Sequence, residues 1–117
     1  RDRLRSRGLG DVYKRQLLSL PQPPDAILAM NDTLAFAAIE VIKSHGLRIP
    51  EDIAIIGYTD EQHANYVEPK LSAVSHQTYK MGETACRLLI DQIKGDRTVR
   101  QVIIPTNLQI RESSRKK

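Results

Sequence analysis

The 117-residue chain has room for one domain with a core of its own and not for two ordinary ones. With 40% hydrophobic and 27% charged residues it is neither a disordered chain, a collagen-like repeat nor a coiled-coil rod. The net charge of +4 sits at the ends: residues 1–16 carry +4 and residues 111–117 carry +3, while residues 17–110, with 8 basic and 11 acidic side chains, are mildly acidic. Binding to DNA needs that basicity on a folded face or helix stripe, and the body of the chain offers none.

Residues 1–16 show neither a strand nor a helix period and read as an unstructured basic head, foreign to the fold; the competing reading is an arm that grips phosphates. The head also lacks the apolar run of a signal peptide, and no apolar run anywhere approaches the roughly 20 residues that cross a bilayer. Leu17–Leu20 reads as a helix end running into the linker of Pro21, Pro23 and Pro24. The run Ala26–Met30 is continuously apolar, as in a parallel strand buried on both faces. From Asp32 the period changes to helical, through Leu34, Ala35, Ala38, Ile39, Val41 and Ile42. Asp32 is the expected N-cap of this helix and Gly46 its C′ residue. A second apolar strand, Ile53–Ile56, completes a βαβ unit.

Beyond a polar loop over 58–70, Leu71–Val74 predicts a short strand. A second helix follows over about 78–94, with Met81, Ala85, Leu88, Leu89 and Ile93 on one face and Gly95 stopping it. Cys86, the single cysteine, is expected beside that apolar stripe as a small core residue; being alone, it excludes an internal disulfide framework and a multi-cysteine zinc site. Residues 101–104 and 107–110 predict two closing strands broken by Pro105.

Phosphate-cradling glycine motifs, a nucleophile elbow and a zinc-protease helix are all absent from the sequence. His45, His63 and His76 are scattered, Ser75 and His76 are mere chain neighbours, and Asp60 and Glu61 read as solvated loop charges. No enzyme activity, metal or cofactor is therefore expected. The positive signal is positional. Open α/β sheets bind ligands outside the carboxyl ends of their strands, and here Asn31-Asp32 and Thr59-Asp60 end two neighbouring strands. Asn31 can donate and accept at once, as a sugar hydroxyl or base edge requires; the competing reading is that Asn31 and Asp32 only cap the helix.

Six segments in order then resemble one family: Pro24–Ile27, Asn31–Ala35, Gly46–Tyr58, Pro69–Ser72, Met81-Gly82 and Leu108–Ser114. Together they are similar to the C-terminal part of the lactose-repressor (LacI/GalR) transcription regulators. The resemblance implies an α/β fold: a partial Rossmann-like parallel sheet flanked by helices, periplasmic-binding-protein type I-like and truncated. Residues 17–114 would be the later part of an effector-binding and dimerisation core, and residues 115–117 a basic tail. It also implies a small-molecule effector, sugar-like or nucleoside-like, in a cleft between subdomains. Operator DNA would be reached only through an upstream helix-turn-helix that this chain lacks, and the location would be cytoplasmic, with no membrane contact. Asn31 matches an effector-contacting position, and Thr59 stands where many members carry an aspartate, with Asp32 and Asp60 beside them. A homodimer partner would lie near Phe36, Ile39 and Tyr66, unless Phe36 and Ile39 are simply core. The alternative is a piece of a periplasmic sugar-binding protein of a transporter. The closing Leu108–Ser114 is typical of the regulators and favours the first reading.

Overall fold

A computed structural model describes residues 16–115. A four-stranded sheet has the order β1 (Ala26–Leu28), β2 (Ala54–Gly57), β3 (Ser72–Ser75), β4 (Asn107–Gln109). The first three strands run parallel, as expected, and β4 returns antiparallel to β3 at the far edge. Helix α1 (Asp32–Ser44) connects β1 to β2, and α2 (Thr78–Ile93) connects β3 to the closing segment. Short 3-10 turns occupy Gln62–Asn65 and Glu112–Ser114.

Helix α1 begins where its capping chemistry says, one residue earlier than expected. Asn31, in extended conformation, accepts the Leu34 N–H on its side-chain oxygen at 2.8 Å, which makes Asn31 and not Asp32 the N-cap. Gly46, with φ at +73°, lies past the helix end in the left-handed region that favours glycine. The buried face of α1 (Ala35, Ala38, Ile39, Ile42) meets Ile53 and Ile55 from the second strand run, closed below by Ala64 and Leu71. Among the described residues this cluster of buried side chains draws on residues 29–71.

Four expectations are corrected. β1 is not buried on both faces: it is the edge of the sheet, and Leu28 is 65% exposed. Residues 101–104 form no strand, because no neighbour offers them a ladder and only 107–109 reach β3. Helix α2 has the predicted amphipathic period but buries no residue. Cys86 accordingly lies exposed on α2 and is not a core residue. Expectations for residues 1–15, 116 and 117 lie outside the described residues.

Candidate functional site

Because β1, β2 and β3 are parallel and paired in register, their carboxyl ends share one rim. The Ala29 N–H donates to the Ile56 carbonyl at 2.8 Å, which draws the chain entering Asn31 against the end of β2. Asn31 stands at the first end, Tyr58, Thr59 and Asp60 at the second, and His76 at the third.

Asn31 serves the helix with its oxygen only. The Leu34 N–H needs an acceptor and so fixes the amide orientation, leaving the half-buried side chain's NH₂ as a donor toward the rim. Asp32 is fully buried and turned inward. One carboxylate oxygen accepts the Glu61 N–H at 2.6 Å, fastening the loop after β2 to the first turn of α1, where the helix dipole favours a negative charge. Its other oxygen lies against Gly57, where a Cβ would come within 2.2 Å of it. Only glycine leaves room there. Asp32 thus shapes the rim from behind rather than facing a ligand.

Thr59 and His76 are the site's open valences. Thr59 Oγ1 and His76 Nε2 are buried and have no hydrogen-bond partner in the protein. Orphaned buried polar atoms are rare in folded proteins and mark places where something else completes the bonding. The His76 ring meets Tyr58 edge-to-face, centroids 4.5 Å apart and planes at 84°, so the ends of β2 and β3 also share an aromatic wall. Asp60 Oδ1 lies 2.8 Å from Arg111 Nη1, a mostly buried ion pair outside hydrogen-bond alignment. The same Arg111 nitrogen donates to the Leu71 carbonyl at 2.6 Å. The Asp60 charge is therefore already balanced.

His76 and Tyr58 are the residues that sequence reasoning passed over. Their signal was available: each lies two residues past the end of a predicted strand and directly follows the observed one, with Thr59 one residue further on. Of the expected partner-facing residues, Ile39 is 6% exposed and belongs to the core, Phe36 packs against it half-buried, and Tyr66 is 84% exposed. The rim is open. The larger cleft, about 420 Å³, lies at the opposite end of α1, between Lys43, Leu47, Arg48, Ile49, Glu68 and Pro69. Among the described residues no group of three or more His, Cys, Asp or Glu side chains could hold a metal ion, and no helix is long and apolar enough to cross a membrane.

Residues 2–114 match the family model of the periplasmic binding protein-like domain, which sets the class of the fold and its rim. The HTH-type transcriptional regulator CelR of Thermobifida fusca is 38% identical over 105 residues, covering 89% of this chain and 31% of its own length. The solved CelR–cellobiose complex superposes with a TM-score of 0.82 at 37% identity, over 90% of this chain and 32% of that one. The lac repressor dimer bound to operator and the anti-inducer ONPF superposes with a TM-score of 0.82 at 27% identity, over 90% of this chain and 37% of that one. The chain belongs to the periplasmic binding protein-like family, and within it to the effector-binding core of the LacI/GalR transcriptional regulators. It spans about a third of the length of the CelR regulator.

Proposed function

We propose that this chain supplies one wall of the effector site of a bacterial transcriptional regulator, and that the effector is a small polar molecule, sugar-like or nucleoside-like. Thr59 Oγ1 and His76 Nε2, buried without partners at the carboxyl ends of adjacent strands, are the observation that carries this reading. Asn31 adds donors, Tyr58 and His76 an apolar ring surface, and Asp32 holds the loop that presents Thr59 and Asp60. With Asp60 paired to Arg111, the carboxylate next to Thr59 is already balanced, so what Thr59 offers a ligand is a neutral hydroxyl. That CelR was solved with cellobiose supports the sugar class. That the relatives are transcriptional regulators supports a role in recognition.

The rest of the reading follows from the family. The protein acts in the cytoplasm, where operator DNA is, and the operator is contacted by a helix-turn-helix outside these 117 residues. The lac repressor was solved as a dimer, and a homodimer here would use exposed Tyr66 and half-buried Phe36, with Ile39 supporting from the core.

Calorimetry on the full-length protein, with cellobiose, other mono- and disaccharides and nucleosides as probes, tests the site. Asn31→Ala is expected to weaken binding roughly tenfold or more, and Thr59→Ala less, as a ligand-bonded amide outweighs a hydroxyl by about 1 kcal/mol. Circular dichroism controls for the lost cap. If Asn31→Ala folds and binds every probe as the parent does, Asn31 is a cap alone.

A further inference from the structure

Among the described residues, two that are not glycine hold left-handed backbone, and each sits one step past an orphaned rim residue. Asp60, φ at +61°, follows Thr59; Gln77, φ at +49°, follows His76. Residues with a Cβ adopt this conformation uncommonly, Asp more readily than Gln, and the surroundings help to hold it. Here one stretch of chain restrains both. The segment 105–111, returning as β4, pairs Arg111 with Asp60 at 2.8 Å, and its Pro105 carbonyl accepts from Gln77 Nε2 at 2.5 Å. Arg111 is itself anchored: its side chain donates to the Leu71 carbonyl and its N–H to Ser72 Oγ at 2.7 Å. The restraint thus reaches back to the start of β3.

We propose that residues 105–111 form a two-point clamp in which Arg111 and Gln77 are positioning residues, holding the two left-handed turns so that Thr59 and His76 keep their polar atoms aimed at the ligand. The inference rests on the rim being the ligand site, and it goes further: each clamp point governs its own turn. Losing the Arg111–Asp60 pair frees Thr59 and leaves His76 in place, and losing the Gln77–Pro105 bond does the reverse.

Thiol labelling reads this without any ligand. In the full-length protein with all native cysteines replaced by serine, a single reporter is introduced as Thr59→Cys, His76→Cys or, as a control at a buried position of α1 away from the rim, Val41→Cys, and its rate of reaction with N-ethylmaleimide is measured. Asp60→Asn keeps a residue tolerant of left-handed backbone but removes the charge. It should raise labelling at position 59 about tenfold, the local opening expected from losing one charge-assisted contact. Arg111→Met should do at least as much, and Asp60→Asn carries the test if Arg111→Met does not fold. Gln77→Asn, too short to reach Pro105, should raise labelling at position 76 by about threefold or more, as for one neutral hydrogen bond. Under each substitution the other two reporters should stay within about twofold of the parent. Rates at 59 and 76 that do not change, or that rise in step with position 41, overturn the clamp. Such a failure leaves the ligand reading untouched, since that one stands or falls by calorimetry.

Discussion

Residues 26–57 and residues 78–104 use the same device, apolar side chains at helical spacing after a short strand, with opposite results. In the first, α1 turns Ala35, Ala38, Ile39 and Ile42 onto β2 and closes a core. In the second, α2 has an equally clear apolar stripe and buries nothing; Leu89, Ile90 and Ile93 stay in solvent, as do Val102 and Ile103 beyond it. Periodicity states which face seeks burial. It does not state whether the surface that covers that face belongs to the same stretch of chain.

The contrast can be broken most directly in urea titrations of the chain. Ile55→Ala, at a side chain with no exposure, is expected to cost about 2–5 kcal/mol. Ile93→Ala, at 76% exposure, should cost less than about 0.5 kcal/mol. Equal losses would mean that α2 finds a covering surface within the chain.

A second substitution sharpens the account of the first region. Gly57→Ala drives a methyl into the Asp32 carboxylate and should cost about 3 kcal/mol, the upper end for overpacking. Combined with Asp32→Ala it should cost clearly less than the two single losses added, because the clash is then gone. Additive losses would exclude the contact as the cause.

Ser113, beyond the second region, ties the closing segment to the first region and to β3. Its hydroxyl donates to the Ile55 carbonyl at 2.6 Å and accepts the Ser72 N–H at 2.8 Å, both buried. Ser113→Ala should lower stability by about 1–2 kcal/mol, since two buried backbone groups lose a partner. A loss within the error of the titration would show that water replaces the hydroxyl.

The smallest effect belongs to the second region. Asp96, past the end of α2, is held below the ordinary carboxylate range, first by a hydrogen bond from the Thr98 side chain, then by the Thr98 N–H, with Arg100 adding to it. A carboxyl with a lowered folded pKa contributes stability that is complete above its unfolded value and disappears as pH falls through the folded one. The Tm difference between parent and Asp96→Asn should therefore be small at neutral pH and vanish in acid. A difference that grows on acidification would reverse the assignment.

Much of the first region was legible from sequence because its partners are close along the chain: both strands, α1, its glycine stop and the rim position of Asn31 and Thr59 follow from local pattern. The choice of Asn31 over Asp32 as cap was not, since either residue suits the position. What separates them is Glu61, 29 residues on, whose N–H claims Asp32 from a distance. His76 escaped notice because scattered histidines were weighed for metal binding rather than for their place past a strand. The apolar run at 102–104 has no strand opposite it among the described residues, and β-propensity without a neighbouring strand makes no ladder. Cys86 was misplaced by the same inference that gave α2 a covered face.

The serine bridge also sets a timetable. The Ile55 carbonyl is finished only when Ser113, 58 positions later, has been made. At about 5–20 residues per second on the ribosome, roughly 3–12 s separate the two. Through that interval the central strand has its helix and its first neighbour but not its last lock. The chain can begin its core early, yet β2 keeps a carbonyl without its partner until Ser113 is in place.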